Sequence, residues 1–416
     1  MRALSVFSRT TLAVVLAMSL TLAGPGNEAA AAEASIKRAH FADLPGWTDD
    51  DHLAALKAFE QSCTGPHPAT IAASADTAEE TRGAPKPRRA KSLVRACTAL
   101  VASGGAGTFD GESARAFFER WFEPVLMTPK GEKAGRVTAY FEPQLAGSVA
   151  KTDRFAVPLF ALPKDLVSVS SKSRPAGFPE NLSAARRTTE GLTPYSDRGA
   201  LADPEAWESL EPLAWIEDPV DAYFVHIQGS VRLALPDGSA LRLGFAGKNG
   251  HPYASAGKEM IRRGLVPAAG MSSKAMSDWL KANPEIAPDI LAVNPSYIFF
   301  RKITGLTDDL GPIGAEGVPL TRGRSLAVDP RHIGYGMPVY VTADLPTGTA
   351  AGKEPFRRLM IAQDTGSAIR GPARGDLFWG TGEDAGDIAG RINDPAQFYV
   401  LRPRDGGNGD VAAQAD

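Results

Sequence analysis

Apolar and polar positions follow two different rhythms along the chain. From Trp47 to about Cys63 the residues Leu53, Leu56, Phe59 and Cys63 recur at helical spacing, preceded by Asp49, Asp50 and Asp51. This spacing predicts an amphipathic helix whose N-terminal end is met by negative charge. Leu93, Val94, Cys97 and Leu100 predict a second helix, and Ala114, Phe117, Phe118, Trp121 and Phe122 a third. The intervening stretch 72–91 is rich in Ala, Thr, Pro, Arg and Lys without apolar periodicity, and predicts a mobile loop.

After Gly135 the rhythm becomes one of short strands. Residues 136–142 are β-branched and aromatic, and Pro143 removes a ladder donor and ends or edges that strand. Further strands are expected at 155–160, 212–216 and 222–228. A hairpin is expected from 231–235 and 240–245, joined by Pro236-Asp237-Gly238-Ser239. The polar, basic stretch 168–200 predicts loop. Helices return at 256–263, closed by Gly264, and at 273–282 before Pro284. Strands resume at 297–300, 325–329, 338–341, 358–362 and 398–401. The expected class is mainly β with N-terminal helices, ending in a disordered tail over 405–416.

Composition agrees with this class and narrows the function. At 416 residues and 43% hydrophobic content the chain can bury a sizeable core, divided over two or three domains. Glycine (42) and proline (32) suit many strands and turns. With 45 basic and 48 acidic side chains the net charge is -3, which gives no footprint for a nucleic-acid partner. None of the six histidines forms an H-E-x-x-H pattern and no G-x-S-x-G elbow occurs, which argues against metalloprotease and esterase chemistry. No metal or cofactor is expected.

The first 32 residues look like an export signal. Arg2 and Arg9 precede an apolar run from Leu12 to Ala23, too short to span a bilayer, and Ala29 to Ala32 suit signal peptidase. An uncleaved anchor is the alternative. No cysteine follows the apolar run to accept a lipid, so a soluble periplasmic protein is expected. The two cysteines, Cys63 and Cys97, would then meet an oxidising compartment. A disulfide between them would close a loop of about 35 residues and contribute roughly 3–4 kcal/mol; two free buried thiols are the alternative.

Three aspartates stand beside turns in the C-terminal strands: Asp329 in Ala-Val-Asp-Pro-Arg-His, Asp364 in Ala-Gln-Asp-Thr-Gly, and Asp376 in Gly-Asp-Leu-Phe-Trp-Gly. Carboxylates at strand-to-loop junctions can converge in one cleft, and glycan cleavage needs such groups. Asp376 has the best setting for an acid, because Leu377, Phe378 and Trp379 offer an apolar surface that would raise its pKa. Asp329, before Pro330, has the alternative of bracing a turn. Asp364, before Thr-Gly, could form a turn or orient the acid. The run 380–386, Gly-Thr-Gly-Glu-Asp-Ala-Gly, carries acidic residues where a dinucleotide's pyrophosphate would lie, and is better taken as a glycine-shaped loop near a site.

These three motifs resemble the membrane-bound lytic murein transglycosylase A family and its C-terminal three-Asp domain. So do the segments Val-Thr-Ala-Tyr-Phe-Glu-Pro (137–143), Tyr-Phe-Val-His-Ile-Gln-Gly-Ser (223–230) and Asn-Pro-Ser-Tyr-Ile-Phe-Phe (294–300). The resemblance implies a double-psi β-barrel domain over 40–142 and 251–404, with the three-Asp region at about 320–404. A smaller β-rich domain would be inserted at 143–250, with a glycan groove between the two. It also implies cleavage of peptidoglycan strands between N-acetylmuramic acid and N-acetylglucosamine. Asp376 would be the single acid/base, with Asp364 and Asp329 as supporting carboxylates. Gln228 and Ser230 could bond sugar hydroxyls or N-acetyl groups, and Tyr140 could pack on a ring face. An inverting hydrolase with Asp364 as base, or a silent wall-binding protein, are the competing expectations. Peptidoglycan strands are the expected partner, with complexes of cell-wall synthesis or division as a further candidate class.

Overall fold

The computed structural model describes residues 33–65, 93–347 and 352–404. The expected signal segment, the 72–91 loop and the C-terminal tail lie outside the described residues.

The chain opens with strand β1 (Ala34–Arg38), followed by helices α1 (His52–Thr64), α2 (Val94–Ala102) and α3 (Gly111–Trp121). Asp51 and Asp110 cap the first and third helices by accepting the backbone N–H groups of Ala54 and Ser113. A disulfide joins Cys63 to Cys97, tying α1 to α2. Strands β2 (Phe122–Pro129) and β3 (Gly135–Glu142) then bring the chain to Pro143.

A second body follows. It contains β4 (Gln144–Ala146), β5 (Val157–Phe160), β6 (Leu166–Ser168), β7 (Ala184–Thr188), β8 (Gly191–Pro194), helix α4 (Arg198–Leu201) and β9 (Pro212–Ile216). Next come α5 (Pro219–Gln228), the hairpin β10 (Ser230–Ala234) and β11 (Ala240–Lys248), helices α6 (Ala256–Arg262), α7 (Ser273–Ala282) and α8 (Ala287–Ala292), and strand β12 (Ile298–Ile303). The main sheet runs β12-β11-β10-β4. Its core of Leu159, Ile216, Val231, Leu233, Leu243 and Phe300 is separate from a second cluster under α5 to α8, around Tyr223, Met260, Leu280 and Ile290.

The chain then returns through β13 (Ser325–Val328), β14 (Pro338–Leu345), β15 (Glu354–Asp364), β16 (Arg374–Thr381), α9 (Glu383–Ala389) and β17 (Asn393–Pro403). The order β17-β14-β15-β13-β16-β3, with β3 also paired to β17, closes a six-stranded barrel. Two of its pairs, β13 with β15 and β16 with β3, are parallel. On the outer side of β17, β2 and β1 extend the sheet. One core joins the barrel interior (Val137, Leu326, Val341, Leu377, Phe398) to the N-terminal helices through Leu56, Phe59, Leu100 and Phe118.

Four expectations need correction. Residues 222–228 belong to a helix, not a strand: Pro219 occupies its first turn, Asp218 accepts the N–H groups of Val220 and Asp221, and Gly229 closes it at φ 86°. These caps outweigh the β-branched composition. The presumed loop 168–200 contains β7, β8 and α4. The boundary at 250 falls inside the second body, because β12 pairs with β11 and α6 to α8 pack against Val220 and Tyr223 of α5. Finally, Asp376 lies inside strand β16 and not at a strand-to-loop junction.

Candidate active site

Register places the two half-buried carboxyls. Ala327 of β13 stands opposite Asp364 of β15 on one side and Asp376 of β16 on the other. The row continues to Thr138 of β3 and Asn393 of β17. Two strand spacings put the backbones of Asp364 and Asp376 about 10 Å apart. The strand's two-residue repeat turns Leu377 and Trp379 into the barrel core and leaves Asp376 and Phe378 on the outer face. The expected apolar surface is therefore supplied by Phe378 alone among the three, with Tyr140 packed beside it at 5.4 Å between ring centroids. Gly375 is needed here: a Cβ at that position would lie 2.7 Å from the Phe398 ring and 2.9 Å from Leu326.

Asp376 is held by a short chain of donors. Thr138 Oγ1 donates to Asp376 Oδ1, and Arg374 Nη2 donates to Thr138 Oγ1 at 2.9 Å. Burial pushes the Asp376 carboxyl above its ordinary value, Arg374 and Thr138 pull the other way, and the charge of Asp364 adds to the rise. Asp364 is also raised by burial, against hydrogen bonds from Tyr140 and the Ala315 and Thr365 backbones. Tyr140 Oη donates to Asp364 Oδ2 at 2.7 Å and Ala315 N to Oδ1 at 2.9 Å. Each oxygen of Asp364 is thus engaged, whereas Asp376 Oδ2 accepts no protein hydrogen bond among those described.

The third aspartate has a different place. Asp329 is buried just past β13 and takes bonds from Arg331 N, Nε and Nη2 and from Gly371 N. Burial alone would raise its carboxyl, but these donors outweigh it and hold it well below the usual range. It stays charged and pins the loop that joins β15 to β16, a bracing role at one remove from Asp376.

The expected sugar-binding residues are distributed otherwise. Tyr140 is committed to Asp364 and Phe378. Gln228 Oε1 accepts the Phe141 backbone N–H at 3.1 Å, which docks the end of α5 onto β3. Ser230 is buried at 5% exposure where β10 meets Gly244 of β11. Thr138 and Arg374 were missed. Their signal is the same two-residue step: Thr138 precedes Tyr140 by two, and Arg374 precedes Asp376 by two.

Two family models match the chain: the MltA specific insert domain over residues 136–301 and the 3D domain over residues 324–402. Membrane-bound lytic murein transglycosylase A of Vibrio cholerae is 31% identical over 278 residues, covering 65% of this chain and 67% of that protein. The chain belongs to the membrane-bound lytic murein transglycosylase A family. The Escherichia coli K12 member is 35% identical over 214 residues, which span 50% of this chain and 55% of that protein's length. The crystal structure of a membrane-bound lytic murein transglycosylase from Agrobacterium tumefaciens superposes with a TM-score of 0.73 at 35% identity, covering 89% of this chain and 98% of that one. Family membership accounts for the six-stranded barrel with its additional sheets. The aspartate row falls in the segment matched by the 3D domain, and its partners Thr138 and Tyr140 at the start of the insert-domain match.

Proposed function

We propose that this chain is a peptidoglycan lytic transglycosylase of the bacterial envelope, with Asp376 as its lone acid and base. One observation carries the reading: Asp376 is a half-buried carboxyl of raised pKa with one oxygen oriented by Thr138 and the other open. A carboxyl whose pKa is raised is suited to protonate the oxygen leaving muramyl C1, which breaks the C1–O bond to N-acetylglucosamine C4. The resulting carboxylate then takes the proton of the muramyl C6 hydroxyl as its oxygen bonds to C1. The product is a 1,6-anhydro end, no water is consumed, and Asp376 regains its proton. Because the attacking hydroxyl belongs to the same sugar, no second carboxylate has to hold a water.

Asp364 supports this assignment by how it is held. An inverting hydrolase would require it to hold and activate a water, and one acceptor site on each of its oxygens is already taken by Tyr140 and Ala315. Its part is to place Tyr140 and to add negative field beside Asp376. The two parallel strand pairs favour the double-psi form of barrel, and the glycan would lie over the outer face of β3 and β16, against the second body. Gln228, at the point where α5 meets β3, would meet it there. No helix among the described residues is long and apolar enough to cross a membrane.

The test is incubation of purified sacculi with the wild-type chain and with Asp376→Asn. The variant is expected to pellet with sacculi as the wild type does and to release no soluble fragments. Undiminished release would refute the assignment.

A further inference from the structure

The two bodies are joined by two chain crossings, and one charged cluster grips both. The first crossing is Glu142-Pro143-Gln144, where β3 passes into β4; the second leaves β12 after Ile303 and runs through Asp308 toward β13. Arg232 of β10 donates its backbone N–H to Pro143 O at 2.9 Å, and its Nη1 and Nη2 to Asp308 Oδ1 and O at 3.2 and 3.0 Å. Glu142, with no exposed side-chain surface, lies between Arg242 Nε at 3.1 Å and Arg232 Nε at 4.0 Å. Arg232 and Arg242 face each other directly across the β10–β11 pair. Two like charges so placed repel, and the Glu142 carboxyl reaches in between them from the barrel; burial pushes it up to about 7, against the pull of Thr381 and Arg232.

The same carboxylate holds the barrel side. Thr381 Oγ1 donates to Glu142 Oε2 at 2.9 Å, and Gly382 N to Glu142 O at 2.9 Å. Thr381 is the last residue of β16, five positions beyond Asp376, and is the register partner of Glu142. A single side chain therefore links the second body's hairpin to the strand that carries the proposed acid. Buried ion pairs cost desolvation and give little net stability, but they fix geometry where it is over-determined.

We infer that Glu142, with Arg232, Arg242 and Asp308, forms a hinge lock that sets the angle between the barrel and the second body, and so the width of the cleft above Asp376. Glu142 and Arg232 are positioning residues: they act through the placement of β3, β16 and the hairpin. Loss of the Glu142 charge leaves Arg232 and Arg242 facing each other, and the second body swings on its two crossings.

Distances between the bodies test this. Both cysteines of the chain are bonded to each other, so spin labels attach only to introduced ones. Ile36→Cys on β1 and Val149→Cys in the second body use side chains that are 47% and 60% exposed. Double electron–electron resonance on the labelled full chain is expected to give one narrow distance peak. Glu142→Gln should broaden that peak at least twofold. Asp308→Asn, which removes the charge of one anchor of Arg232 on a side chain that is 95% exposed, should broaden it by a smaller amount. Because Asp308→Asn leaves the core intact, it decides the matter even where Glu142→Gln fails to fold. An unchanged width in Asp308→Asn and in any folded Glu142→Gln would overturn the proposal. The readout needs no turnover, so a chain inactive on sacculi would defeat the transglycosylase reading and leave the hinge standing.

Discussion

The carboxyl of Asp376 is shifted by competing neighbours, and each can be removed in turn. Asp376→Asn is expected to lower fragment release from sacculi by roughly 10²–10⁴-fold, the usual contribution of a general acid. Its effect on stability has the opposite sign. A carboxyl whose folded pKa lies above its unfolded one favours the fold at low pH, and that advantage is lost as pH rises from the ordinary aspartate range through the folded value. The variant should therefore melt above the wild type at pH 7, with the gap closing toward pH 4, as differential scanning calorimetry would record. Thr138→Val removes a donor that pulls the Asp376 pKa down. The acid would then keep its proton to higher pH, so the alkaline limb of the rate profile should move up while the maximal rate falls. Asp329 behaves in reverse: its depressed pKa gives stability above the ordinary carboxylate range that is lost on acidification. Asp329→Asn should cost about 2–3 kcal/mol at neutral pH, the scale of a buried charge-assisted hydrogen bond, and urea titration would measure it.

At the scale of elements, the sequence was most informative where a repeat ran unbroken. Leu53, Leu56 and Phe59 marked α1, Asp237-Gly238 marked the hairpin of β10 and β11, and Pro284 marked the end of α7. What failed were stretches in which capping or pairing from afar decides the outcome. Residues 222–228 carry β-favouring side chains, yet Asp218, Pro219 and Gly229 fix both ends of a helix around them. The basic segment 184–194 has little apolar alternation, and becomes strand because β6, β7 and β8 pair with one another. The aspartate motifs were legible, but their row was not. It depends on a register shift between Leu326 and Ala327 that brings Asp364 level with Asp376, and nothing local announces it. The disulfide tying α1 to α2 spans 34 residues. Replacing Cys63 and Cys97 by Ala should lower stability by about 3–4 kcal/mol, as a shift in the urea midpoint would show, and leave the barrel strands paired.

For the whole molecule, the family relationship joins two bodies whose cores are separate and whose chemistry is shared. The barrel supplies Thr138, Tyr140, Asp364 and Asp376 from three strands, and the second body reaches β3 through Gln228 and the Glu142 cluster. On the proposed function, the separate cores would let a long polymer enter between the two bodies from the side. The central claim is that an internal hydroxyl, not water, completes the reaction. Mass spectrometry of fragments released from sacculi by the wild-type chain tests it most directly. Muramyl ends one water lighter than free reducing ends, absent with Asp376→Asn, are the predicted result; fragments carrying only reducing ends would contradict it.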